Sequence, residues 1–463
     1  GIVGTGRHDR RQLGPFRAGW ATAVAGIPGD PATFFFGGAD GGVWKTTDAG
    51  VTWRAIFERG RSASIGAMAI APSDPRVIWV GTGQVHQRWD VVAGEGLYRS
   101  TDGGASWNPA GLPDSRHIGK IWADPRDADV AVVAALGHLF GPGGERGLFR
   151  TEDGGRSWRQ VLDPGPDTGA VEIAGDPAHP ERLYAALWQV RRHPWMDYFQ
   201  PTEGPGTAVY RSVDGGRSWT PAGRTGWPEG DLGRLALAVP PGSDGLKVWA
   251  AVSGRGLFAT GDGGASWTLL NQDGSLANSY MANLTADPRD SARLWVMGRG
   301  LRRSDDGGKS FTIAKGAPGG DDYHILWIDP ADSRRMITGA DQGAVVTLNG
   351  GASWSSWYNQ PTGQFYRLAA DKRFPYWIYS GQQDSGTVAI ASRSDYGQLT
   401  FRDWHPVGGD ERDGDIPDPV NPDIVYGAGL GGRLSKWNAR TGEVQNVSPW
   451  PVASYGARPG TTR

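Results

Sequence analysis

The apolar positions of this chain fall in short runs of four or five residues, cut apart at close intervals by polar turn residues. The first four runs are Ala21-Thr22-Ala23-Val24, Thr33-Phe34-Phe35-Phe36, Gly42-Val43-Trp44-Lys45 and Thr52-Trp53-Arg54-Ala55-Ile56. Runs this short, rich in β-branched and aromatic residues and bounded by Gly, Pro and Asp, predict β-strands. An Asp-Pro turn precedes the second run of most later groups: Asp74-Pro75, Asp124-Pro125, Asp176-Pro177, Asp287-Pro288 and Asp329-Pro330. Proline fixes φ in such a turn and is excluded from a central strand. The strands therefore come in groups of four.

A second marker recurs in the same phase. Thr46-Thr47-Asp48-Ala49-Gly50-Val51-Thr52-Trp53 returns as Ser100-Thr101-Asp102-Gly103-Gly104-Ala105-Ser106-Trp107, and again around Asp153, Asp214, Asp262 and Asp306. A seventh copy carries Asn349 and closes on Trp354, and the copy at Asp306 ends in Phe311. The carboxylate suits a turn in which it accepts backbone N–H groups, the glycines supply positive φ, and the indole buries a large apolar face. Successive copies lie 43 to 61 residues apart, the period of one four-stranded unit.

These copies resemble the Asp-box, or BNR repeat, of sialidases, sortilin-type receptor ectodomains and xyloglucanase-type glycoside hydrolases with two seven-bladed propellers. The resemblance implies an all-β fold, a β-propeller of four-stranded blades. The markers cut residues 18–358 into seven blades, after a lead-in over residues 1–17 that is expected to pack on a later blade or a second domain. Residues 359–448 read as about two blades of a second propeller, and residues 449–463 as an irregular tail of a truncated chain. A ten-bladed ring of the sortilin type is the alternative.

Composition narrows the function. Formal charge is −2, from 47 basic and 49 acidic residues, so nothing favours nucleic acid or an anionic membrane. With no cysteine there is no disulfide framework or thiolate chemistry. No run of roughly 18 apolar residues exists to span a membrane. The chain starts without Met; an exported, extracellular or periplasmic protein is expected, from the resemblance alone. No cofactor is expected. The eight histidines lack metal-ligand spacing, and the acidic stretch Gly408-Gly409-Asp410-Glu411-Arg412-Asp413 reads as a solvated turn in preference to a Ca²⁺ site.

Candidate chemistry lies in the connections between second and third strands, opposite the box turns. Box carboxylates are read as turn residues. Loops longer than the minimum attract attention: blade two contributes His86, Arg88 and Trp89, and blade four Trp188, Arg191, His193, Trp195 and Tyr198. Aromatics beside Arg and His suit stacking on sugar rings or gripping a peptide. An acid recurs at the end of the second strand, as Asp40, Asp341 and Asp384. In xyloglucanase-like enzymes a catalytic Asp lies at such a position in the first blade, with its partner early in the second propeller. The resemblance thus implies Asp40 and Asp384 as an acid/base pair of an inverting endo-glycosidase acting on a polysaccharide. The alternative is a non-catalytic protein- or peptide-binding propeller, sortilin-like or an assembly factor. A sialidase reading has only Pro15-Phe16-Arg17-Ala18 in its favour.

Overall fold

The computed structural model describes residues 13–86, 88, 91–193, 202–412, 414–429 and 432–448. Nearly all regular structure of the described residues is antiparallel sheet; a 3₁₀ turn, Gly274–Leu276, is capped by Asp273. Two compact units result, one of residues Trp20–Ser356 and the other of Gly1–Gly19 with Trp357–Arg463.

In the larger unit seven blade sheets follow one another, and a two-stranded ribbon pairs Glu203–Gly204 with Leu232–Gly233. The first pairs Ala21–Gly26, Phe34–Gly38, Val43–Thr46 and Arg54–Ala55 in simple meander order. The inner strands of the next six are Ile65–Ile70, Ile118–Ala123, Thr168–Gly175, Leu235–Ala238, Asn283–Ala286 and Tyr323–Asp329. Each lies beside the next, and the seventh lies beside the first, so the cycle closes. The seventh sheet has three regular strands, with Ser355 bonded to Val346 where a fourth would run.

The core is a set of wedges between neighbouring blades. Phe34, Phe36 and Trp44 pack with Ile337, Ala344 and Val346 of blade seven, and Phe35 and Val43 pack with Ile78 and Val80 of blade two. A residue such as Phe36 buries both faces of its strand's environment, worth about 1.5–3 kcal/mol for each large apolar side chain. Alternation of polar and apolar positions is correspondingly weak in the inner and second strands.

The box turns hold one hydrogen-bond pattern throughout. Asp48 accepts from the Thr52 N–H at 2.8 Å, the Thr52 hydroxyl at 2.6 Å and the Thr46 hydroxyl at 2.7 Å, while Gly50 N–H donates to Thr46 at 3.0 Å. Asp102, Asp153, Asp214, Asp262 and Asp306 repeat it. Asn349 keeps the geometry, its amide donating to Ser353 at 2.8 Å. Indole N–H groups tie some blades to the one before: Trp107 to Ile56 O, Trp158 to Ala110 O and Trp267 to Gly223 O.

In the smaller unit two four-stranded sheets run over Ala369–His405 and Asp415–Asn446. The lead-in is clamped to the first. Arg17 Nε donates to Gln382 Oε1 at 2.8 Å, Gln382 Nε2 donates to the Ala18 carbonyl at 2.9 Å, and the Arg17 guanidinium lies 5.3 Å from the Trp404 ring centre.

Candidate functional site

Antiparallel pairing fixes which residues share an end of the blade. In blade one Ala21 pairs with Gly38, and Gly37 with Val43, so the second-to-third turn lies where the inner strand begins. Gly26, Phe34 and Thr46 mark the other end, where the box lies.

Asp40 caps that turn in blade one. The backbone around it is pinned: Ala39 N–H donates to Trp20 O, Gly42 N–H to Ala63 O, and Trp44 Nε1 to Gly41 O at 2.8 Å. Gly42 takes φ +68°, which a glycine allows without strain. The Asp40 side chain is exposed and makes no hydrogen bond or ion pair with the described residues. Protein packed on one side costs it hydration, which raises its pKa above the ordinary carboxylate value. A rigidly held, unpartnered carboxyl with raised pKa is suited to donate a proton.

Asp384 occupies the corresponding turn in the smaller unit. It adopts φ +56°, a left-handed conformation that Asp tolerates better than most residues. Gln383 Nε2 donates to its Oδ2 at 2.9 Å, and Tyr366 OH in turn holds Gln383 at 2.8 Å. Glu411, which the sequence reading left in a solvated turn, is close enough to feel this carboxylate. Burial first, and then the charge of Asp384, push the Glu411 carboxyl above its usual range. The sequence signal for Glu411 was its place in the acidic stretch, but nothing there marked it as half-buried beside Asp384.

The other predicted residues divide. Trp188 is no stacking platform: the strand Leu183–Gln189 runs through it, its ring is fully buried, and its Nε1 donates to Thr202 O at 3.2 Å. Arg191 forms an ion pair with Asp167, and His193 is half-buried. Asp341 turns inward, bonded to His324 Nε2 at 2.5 Å, with both residues buried. His86 and Arg88 join them in a buried cluster at the end where the inner strands begin. The His86 and His324 rings lie 4.6 Å apart, Trp20 lies 5.3 Å from His86, and the Arg88 guanidinium stands 4.9 Å from the Trp20 ring. Tyr280 completes it, 5.4 Å from His324. Arg88, His86 and Asp341 are thus closed off from solvent. Trp89, Trp195 and Tyr198 lie outside the described residues. No group of three His, Asp or Glu among the described residues is arranged to hold a metal ion.

Comparison with known proteins adds a relationship. No family model matches the chain. A xyloglucanase of Paenibacillus sp. is 25% identical over 260 residues, which are 51% of this chain and 24% of that protein. A xyloglucanase of Hypocrea jecorina (strain QM6a) is 28% identical over 287 residues, 57% of this chain and 30% of that protein. The chain is similar to xyloglucanases. The matched segment thus spans less than a third of the length of either relative. Among solved structures, the GH74 xyloglucanase of Xanthomonas campestris aligns over 95% of this chain and 75% of its own, with a TM-score of 0.60 at 17% identity. An ancestral GH74 enzyme aligns with a TM-score of 0.63 at 17% identity, over 95% and 63%. At this identity the structural likeness speaks for the fold, a xyloglucanase-like β-propeller.

Proposed function

We propose that the protein of which this chain is part is a glycoside hydrolase that cleaves a polysaccharide of the xyloglucan type, outside the cell or in the periplasm. The observation that carries the reading is Asp40: an exposed, unpartnered carboxyl with raised pKa on a pinned turn, in a chain similar to xyloglucanases. Asp40 protonates the leaving glycosidic oxygen as the C–O bond breaks. Asp384 takes a proton from the water whose oxygen bonds to the anomeric carbon, which inverts the configuration. Such a pair requires carboxyl groups about 6.5–9.5 Å apart in the working enzyme, to leave room for the water.

The test is hydrolysis of xyloglucan, mixed-linkage β-glucan, xylan and mannan, read by reducing ends, with Asp40→Asn beside the unaltered protein. Release of oligosaccharide that falls by about a thousandfold or more in the variant is expected, since both proton transfer and charge are lost. Undiminished turnover in Asp40→Asn removes the assignment. A second reading, a binding propeller without catalysis, draws on Asp384, whose left-handed turn and bond to Gln383 suit an ordinary turn residue as well. Binding of polysaccharide or peptide with no hydrolysis of any of the four substrates would favour it.

A further inference from the structure

Beneath the buried cluster of the larger unit lies a cavity of about 140 Å³ within the ring of inner strands. Its polar lining comes from five blades: Thr22, His86, Lys120, Arg234 and Asn283, over an apolar surface that includes Met68, Val85 and Leu326. Three features of this lining have no role in the hydrolase site. Both ring nitrogens of His86 are buried and lack a hydrogen-bond partner among the described residues, and only 3% of the residue is exposed. Arg234, also 3% exposed, donates through Nη1 to the carbonyls of Tyr280 at 3.0 Å and Ser279 at 3.4 Å, but its Nε finds no acceptor among the described residues. No carboxylate of the described residues forms an ion pair with Arg234, whereas Lys120 is matched by Glu172 at 3.0 Å.

The chemistry of this set is one-sided. Lys120 and Arg234 against Glu172 leave one positive charge in excess beside the cavity. Burial lowers the Arg234 pKa to about 10, so the guanidinium still carries its charge at neutral pH. An unmatched buried charge is strongly disfavoured unless a counter-charge joins it. A cation is repelled by the same two groups. A cavity of roughly 150 Å³ accepts a molecule the size of benzene, so the occupant is small.

We propose that this channel cavity binds one small carboxylate monoanion, of about the size of acetate. The Arg234 guanidinium and Lys120 Nζ face the oxygens, and the short apolar end lies against Met68 and Leu326. The anion adds a tie across the ring of inner strands to the one made by the buried cluster.

The experiment uses the full chain, titrated calorimetrically with sodium acetate against sodium chloride at constant ionic strength. Saturable 1:1 acetate binding that chloride does not reproduce is expected, weakened about tenfold or more in both Lys120→Met and Arg234→Met. Lys120 is partly exposed, so its variant keeps the test open should Arg234→Met fail to fold. Crystals grown in sodium acetate are expected to show acetate density in the cavity. Acetate heats that match chloride, an affinity within about twofold of the unaltered protein in Lys120→Met, or a cavity filled by water alone would each overturn the proposal.

Discussion

Replacing Trp158 by Phe tests whether the box tryptophans hold blades to one another. Trp158 Nε1 donates to Ala110 O of the preceding blade at 2.7 Å, and its ring meets Trp79 edge-on at 6.0 Å and 77°. Gly111 lies directly under the indole: a Cβ there would approach Trp158 to 2.7 Å. Phenylalanine removes the donor and leaves the carbonyl of the buried Ala110 unsatisfied, a loss of about 1–3 kcal/mol. Part of an aromatic contact worth roughly 0.5–1.5 kcal/mol goes with it. The expected cost is about 2–4 kcal/mol. Trp219 is the internal comparison, because its Nε1 donates only to Gly216 O within its own turn, at the longer distance of 3.2 Å. Trp219→Phe should cost about 1 kcal/mol, since a long bond inside one turn leaves the seam between blades untouched. Urea unfolding followed by far-ultraviolet circular dichroism gives both midpoints, comparable if the slopes agree. A midpoint for Trp219→Phe at or below that of Trp158→Phe would refute the idea that these indoles act as ties between blades.

Three further outcomes follow from other parts of the structure. Hydrogen bonds from Ser106 and Ser157 hold the carboxyls of Asp102 and Asp153 down to about 2. The unfolded chain therefore binds more protons in acid, so their contribution is complete above about pH 4 and fades as pH falls towards 2; Asp102→Asn, which imitates Asn349, should flatten that acid loss in thermal melts at pH 2–5. Gly119→Ala would place a Cβ 2.4 Å from the carbonyl oxygen of Val171 on the neighbouring inner strand. A backbone atom cannot turn aside, so a loss of about 1–3 kcal/mol or more is expected in urea midpoints. If Asp40 is the proton donor, hydrolysis should decline on the alkaline side as that carboxyl ionises, and its raised pKa places the decline higher than an ordinary Asp would; a rate that is flat there would count against the role.

How far the sequence could be read depended on whether a feature was local. The carboxylate and hydroxyl bonds that shape the box turn join residues no more than four apart, so that part of its structure is written in the sequence pattern. The all-β fold, the propeller and the antiparallel blades were legible for that reason. Trp188 was misplaced because the strand Leu183–Gln189 is buried on both faces, so its end carries no change of polarity to mark it. His86, Arg88 and Asp341 were placed on an open surface for a related reason. Trp20, Tyr280 and His324, which cover them, come from blades one, six and seven, and only closure of the ring brings those inner strands together. Arg234 was missed altogether, since a single Arg before the run Leu235–Ala238 has no local partner to betray its burial.

The two ends of the blades sort their carboxylates by environment, and this separation is what makes Asp40 stand out. At the box end each Asp is saturated by hydroxyl and backbone donors. Its negative charge is thereby favoured, and the pKa is lowered from Asp48 to Asp306 wherever the box keeps an Asp. A carboxylate so satisfied is a poor proton donor near neutrality and cannot reach a substrate without dismantling its turn. At the opposite end the backbone supplies its own hydrogen bonds, as Ala39 to Trp20 and Gly42 to Ala63 show, so the Asp40 side chain is left uncommitted. Catalysis needs that division, because a group held for chemistry has to be positioned by bonds that do not consume its lone pairs. The seven boxes can therefore stay nearly constant while the turns at the other end differ from blade to blade. Exchanging Asp40 should then alter reaction rate with little effect on the melting temperature, and exchanging Asp102 should do the reverse.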